Sequence, residues 1–155
     1  MKTLTGPTHI QLTINGEPRD VFIEPHYTLL DLLRHPLVGL TGAKPGCENG
    51  DCGACTVLLN QKPVKSCMMF AVDAEGKTVL TVEGLVDTPV QRAFLKHFAF
   101  QCGYCTSGFL LVAHALLHEI PHPDRHQITE WLRSNICRCT SYEEILAAVH
   151  EASES

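Results

Sequence analysis

Apolar residues alternate with polar ones at Ile10, Leu12 and Ile14, and again at Val21 and Ile23, with Asn15-Gly16 between the two runs. A period of two puts successive side chains on opposite faces of a strand, and Asn-Gly supplies the positive φ of a tight turn. The stretch therefore predicts a β-hairpin. "TLLDLLRHP" then shifts to a helical period, with Thr28 as N-cap, Asp31 three residues on, and a stop before Pro36. "TVLLN" and "KPVKSC" predict a second hairpin around Asn60-Gln61-Lys62, and "TVLTVEGL" a last strand.

After "EGLVDTP" the period changes for good. "PVQRAFLKHFAF" places Val90, Phe94, Leu95 and Phe98 at helical spacing. "TSGFLLVAHALLHE" is apolar on most sides, which predicts a central helix. "HQITEWLRSN" groups Ile128, Trp131 and Leu132, so Trp131 reads as bundle core. "SYEEILAAVHEA" opens with Ser141 and Glu144 as a capping box. The expected fold class is α+β, with an N-terminal sheet domain over residues 1–83 and a C-terminal four-helix bundle over residues 84–155.

Composition narrows the function. Hydrophobic residues make up 45% of the 155 residues, enough for a real core. Net charge is −5 and the lysines and arginines are scattered, which argues against nucleic acid. "MKTLTGPTHIQLTING" has no apolar signal region and no twin arginine, so a cytoplasmic location is expected. The apolar stretch "GFLLVAHALL" is too short to span a bilayer.

Eight cysteines in a reducing compartment favour metal or redox use over disulfides. They divide into two sets of four. Cys47, Cys52, Cys55 and Cys67 follow C-x4-C-x2-C-x11-C, and Cys102, Cys105, Cys137 and Cys139 follow C-x2-C-x31-C-x-C. Four thiolates suit tetrahedral zinc or an iron–sulfur cluster. Zinc ribbons favour two CxxC knuckles, whereas C-x4-C-x2-C is the plant-type spacing of a 2Fe–2S cluster. Gly46, Gly50 and Gly53 let the backbone bend tightly and bring N–H groups close to sulfur. The fourth cysteine of a plant-type ferredoxin lies much farther along than Cys67 does here. The pairs Cys102/Cys105 and Cys137/Cys139 precede predicted helices, whose N-terminal N–H groups and dipole stabilise anionic sulfur.

"GCENGDCGACTV", "QCGYCTSG" and "NICRCTSYEEI" together resemble the iron–sulfur subunit of the molybdenum hydroxylases, the xanthine dehydrogenase family, over nearly the whole chain. The resemblance implies a β-grasp, ferredoxin-like first domain, a four-helix second domain and two 2Fe–2S clusters in a relay. Cys102, Cys105, Cys137 and Cys139 would hold the cluster nearer the molybdenum. Cys47, Cys52, Cys55 and Cys67 would hold the one nearer the flavin. Gln101 and the Cys139 segment match positions that touch the pterin. The implied partners are a large catalytic subunit carrying molybdopterin, expected in its dinucleotide form, and a medium FAD subunit. The expected assembly is a hetero-oligomer, a dimer of heterotrimers being one form of it. Where the family commonly has Pro this chain has Ser107, and where it has Gly this chain has Ser134 and Ser141.

No G-x-G-x-x-G or P-loop occurs, and no acid–base pair emerges, so the chain is expected to move electrons and catalyse nothing alone. For the whole complex a purine is the first expectation, from the family's range alone. Nicotinate-like heterocycles, aldehydes, carbon monoxide and an aromatic acyl-CoA stand as alternatives. A free-standing ferredoxin and a zinc-binding module are the other classes. His114 and His118 are four apart on one helix, but the run "HALLHE" lacks a third ligand. Arg138, between two cysteines, reads equally as a charge partner and as a solvent-facing residue.

Overall fold

The computed structural model describes residues 6–140 and 142–154. Ser141 and its capping box lie outside the described residues. The first half is a five-stranded mixed sheet in the order β2-β1-β5-β3-β4. Strands β1 (Thr8–Ile14) and β2 (Glu17–Ile23) form the first hairpin, with Ile10 opposite Val21. Asn15 and Gly16 both take positive φ, as a tight hairpin turn requires. Strands β3 (Thr56–Leu59) and β4 (Lys62–Lys65) form the second, turning on Asn60 and Gln61. Strand β5 (Thr78–Leu80) lies between them, parallel to β1 and antiparallel to β3.

Helix α1 (Leu29–Arg34) starts at the expected capping box, Thr28 with Asp31. Its Leu29, Leu30, Leu32 and Leu33 bury against Ile10, Leu12 and Ile14, so the alternation of β1 and the helical period meet in one core. This is the β-grasp, ferredoxin-like arrangement. The last strand is shorter than expected. Beyond Leu80, the buried Thr81 gives its N–H to Asn15 Oδ1 at 2.8 Å, and Val82–Gly84 closes a 3₁₀ turn. A side chain has taken the bond a neighbouring strand would have made.

The second half holds α2 (Pro89–Lys96), α3 (Thr106–Glu119), α4 (Arg125–Leu132) and α5 (Tyr142–Ala152). Helix α3 is central: Phe109, Leu111, Val112 and Leu116 are all buried. Two expected core residues are not in the core. Helix α2 ends in a Schellman turn, with Ala99 N–H bonded to Phe94 O at 3.0 Å and Phe98 N–H to Leu95 O at 3.3 Å. Phe98 takes the positive φ usually given to glycine, so its ring leaves the helical stripe and lies 78% exposed. Leu95 is exposed as well, while Trp131 is half-buried at the edge of the bundle.

Strand β3 joins the halves. Val57 packs into the α1 side of the sheet and Leu58 into the helical core, because successive residues face opposite ways. A strand covered on both faces reads as a continuous apolar run, as "TVLL" does.

Candidate metal centres

The loop carrying Cys47, Cys52 and Cys55 is tied down at both ends. The Arg34 guanidinium donates to the carbonyls of Thr41 and Ala43 at 2.8 and 2.9 Å, and Lys44 N–H donates to Ala54 O at 3.0 Å. Inside the loop Glu48, Gly50 and Gly53 take positive φ, which turns successive N–H groups inward. Cys52 N–H points at Cys47 Sγ over 3.3 Å. Gly46 leaves room for the other sulfur, since a Cβ there would stand 2.6 Å from Cys52 Sγ.

Cys67 reaches the same place from β4. Ser66, fully buried, bonds Cys55 O through both its N–H (3.3 Å) and its hydroxyl (2.6 Å). This draws the next residue inward, and Cys67 Sγ lies 3.4 Å from Cys55 Sγ. The set thus falls into two sulfur pairs, Cys47 with Cys52 and Cys55 with Cys67.

The second set repeats the scheme with helix ends. Cys105 is the N-cap of α3, and Gly103, at positive φ, turns the chain between Cys102 and Cys105. Cys102 Sγ and Cys139 Sγ lie 3.5 Å apart, and Cys105 pairs with Cys137. Thr140 N–H points at Cys137 Sγ over 3.4 Å, and Tyr142 Oη donates to Asn135 O while accepting from Cys137 N–H. Cys102, Cys139 and Gln101 are exposed, whereas Cys105 and Cys137 sit deeper.

Two thiolates on one tetrahedral metal with bonds near 2.3 Å stand about 3.8 Å apart. Cys55 with Cys67 at 3.4 Å and Cys102 with Cys139 at 3.5 Å need only a slight opening to hold one iron each, and two pairs per set suit a binuclear centre. The all-thiolate donor set, the pairing and the C-x4-C-x2-C spacing of the first set fit a 2Fe–2S cluster. His114 and His118 lie elsewhere, lining a cavity of about 320 Å³ with Leu58, Gln61 and Leu80.

The free thiols differ in how readily they ionise. Backbone N–H groups of Asn49 and Cys52 pull Cys47 down to about 7. The Tyr104 N–H lowers Cys102 in the same way. Burial pushes Cys67 up to about 11 and Cys105 up to about 12, with the neighbouring Cys55 and Cys137 sulfurs adding to each. The inner sulfurs become thiolates only when a cation offsets their burial, which is what a metal supplies.

The two sets face each other across a cleft of about 300 Å³ lined by Cys47, Cys52, Cys102, Cys105, Cys137 and Cys139. Arg138, exposed, also borders it. Tyr104 Oη donates across the cleft to Pro45 O at 2.6 Å. Behind it the sets are joined directly, by Ile136 N–H to Cys52 O at 2.9 Å. Asn135, 1% exposed, donates to Gly53 O at 3.2 Å. Lys65 Nζ donates to Ser134 O, to Thr56 Oγ1 at 3.3 Å and to Asn135 Oδ1 at 3.4 Å. Sequence reasoning singled out all eight cysteines and Gln101 but neither Lys65 nor Asn135. Their signal was only proximity: each stands two residues ahead of a cysteine.

Known proteins share this construction. The family model "2Fe-2S iron-sulfur cluster binding domain" matches residues 12–84, and "2Fe-2S binding domain" matches residues 81–150. The nicotinate dehydrogenase small FeS subunit of Eubacterium barkeri is 47% identical over 94% of each chain. A probable xanthine dehydrogenase subunit of Bacillus subtilis is 42% identical over 88% of this chain and 80% of its own. The structure of quinoline 2-oxidoreductase from Pseudomonas putida 86 superposes with a TM-score of 0.92 at 44% identity, over 97% of this chain and 96% of that one. The aldehyde oxidoreductase of Megalodesulfovibrio gigas is 40% identical over 91% of this chain but only 16% of its own length, so there the same unit is part of a much longer polypeptide. With two complete cysteine sets, this sheet-then-bundle fold and relatives of this closeness, the chain belongs to the 2Fe–2S iron–sulfur subunits of the molybdenum hydroxylase, or xanthine dehydrogenase, family, the non-catalytic electron-relay component of a multi-subunit oxidoreductase.

Proposed function

We propose that Cys102, Cys105, Cys137 and Cys139 receive electrons from a molybdopterin centre in a large partner subunit, and that Cys47, Cys52, Cys55 and Cys67 pass them to an FAD subunit. The observation that carries this reading is the arrangement of the eight sulfurs in four close pairs, grouped as two sets that face one another. When bound, each 2Fe–2S cluster would supply one-electron chemistry. The chain's own residues do the rest. Loop N–H groups favour the thiolate form, α3 directs its positive end at Cys105, and the direct bond from Ile136 to Cys52 O keeps the sets in register.

The exposed side of the second set suits a partner. Gln101, Cys102 and Cys139 lie at the surface, and Tyr104, Ile136 and Tyr142 expose apolar area beside them. In this reading Gln101 and the Cys139 segment meet the pterin, in its dinucleotide form. The working division is residues 1–83 for one cluster domain and 84–155 for the other. The complex is a hetero-oligomer and its compartment the cytoplasm. Among the described residues no helix is long and apolar enough to cross a membrane.

For the substrate of the whole complex, the reading favours a pyridine-type heterocycle over the purine expected first. It rests on relatives whose names carry nicotinate at 47%, nicotine at 44% and quinoline at 44% identity, against 42% for the xanthine-named relative. Turnover of nicotinate by the purified complex, with no turnover of xanthine, is the expected outcome, and the reverse would restore the purine.

Metal analysis tests the relay itself. The purified complex is expected to hold about four irons and four inorganic sulfides per copy of this chain, with two distinct EPR signals on reduction. A single signal at half that iron, or stoichiometric zinc, would remove the reading.

A further inference from the structure

The ammonium of Lys65 has a position that cluster binding alone does not explain. A protonated lysine offers three donors, and Nζ has three acceptors: Ser134 O, Thr56 Oγ1 and Asn135 Oδ1. The match between three donors and three acceptors belongs to the charged form. All three acceptors are neutral oxygens, so no carboxylate cancels the charge within this set of contacts. The group is half-buried, which weakens solvent screening. Along the chain it stands two residues before Cys67. Strand pairing fixes its place, since Lys65 lies opposite Thr56, the residue after Cys55.

We propose that Lys65 is a potential-setting residue: a fixed cation, held between the two cysteine sets, that makes the Cys47 set the better electron acceptor. The inference rests on the reading that this set binds a cluster. Reduction adds one negative charge to a site already carrying four thiolates, and a nearby cation stabilises that extra charge. A cation nearer one set than the other sets a downhill direction for the electron. Ser134 and Asn135 lead into Cys137, so the same contacts that hold the charge also hold the second set's loop. Its ammonium is held by Thr56, Ser134 and Asn135 of this chain, so its part is to bias the relay.

The test is a redox titration of the assembled complex followed by EPR, with Lys65→Met, Lys65→Gln and Lys65→Arg compared with the unmodified protein. The signal of the Cys47 set is the one that disappears in Cys52→Ala. Lys65→Met and Lys65→Gln are expected to lower its midpoint potential so that the reduced-to-oxidised ratio at fixed solution potential falls about tenfold, 59 mV for one electron. The other signal should move by clearly less, and Lys65→Arg should stay near the unmodified value. Unchanged potentials in the neutral variants would overturn the proposal. Equal shifts in all three variants would also overturn it, because loss of packing and not of charge would then be responsible. If both neutral variants lose iron, Lys65 acts in retaining the cluster and the proposal falls. If the unmodified complex lacks a second signal, the cluster reading itself fails and takes the inference with it. A signal with unchanged potential defeats the inference alone.

Discussion

Substrate should still reduce one iron–sulfur centre in a complex carrying Cys52→Ala, and should reduce neither quickly in one carrying Cys105→Ala. A methyl group cannot replace a thiolate ligand, so each change empties or cripples its own site. The sites are built by different elements. Cys52 lies in the loop before β3 and Cys105 at the head of α3, so each set can stand without the other's metal. In Cys52→Ala the electrons are stranded: rapid-freeze EPR shows a persistent signal and the flavin stays largely oxidised. In Cys105→Ala the first step out of molybdenum is blocked, and turnover falls by orders of magnitude. The reverse pattern would mean that the order of the two sets is inverted. Full turnover in both would mean that electrons do not pass through this chain.

The second large effect concerns one helical glycine. Gly108 stands in the first turn of α3, where alanine would ordinarily be favoured by about 1 kcal/mol. Here a Cβ would stand 2.2 Å from Gly53 O and 2.5 Å from Asn135 Nδ2. Gly53 is a backbone neighbour at positive φ, its carbonyl already takes bonds from Thr56 and Asn135, and a Cβ on Gly53 would itself meet Asn135 at 2.4 Å. Gly53 O is backbone, and Asn135 is buried and tied to that same carbonyl, so neither gives way easily and the clash outweighs the helix propensity. Gly108→Ala is expected to destabilise the protein by about 3 kcal/mol, seen as a lower Tm, and to loosen both cysteine loops so that iron is lost on desalting. Gly6→Ala, with nothing within 4 Å of its Cβ, should leave both readouts unchanged. An unchanged Tm in Gly108→Ala would show that α3 can slide away from the first loop without cost.

Local chemistry made much of this protein legible in one dimension. The alternation at Ile10, Leu12 and Ile14, the Asn15-Gly16 turn and the Thr28/Asp31 capping box each depend on residues within a few positions, and each formed as expected. The span of α3 follows from a fourteen-residue stretch bounded by Cys105 and Ile120. The eight cysteines declared themselves by spacing, because loop ligands must lie a few residues apart to reach one centre.

What the tertiary structure alone decided are contacts between distant segments. Phe98 left its helical stripe because a Schellman turn formed without a glycine to announce it. The last strand stopped at Leu80 because Asn15, sixty-six positions before Thr81, supplied the competing bond. Lys65 and Asn135 acquired meaning only when β4 and the segment before Cys137 came together across seventy positions. A lone lysine or asparagine has no periodicity to reveal it. Its role depends on where three acceptors and a ring of sulfurs happen to meet, and that meeting is fixed by packing α3 against β3 rather than by any pattern along the chain.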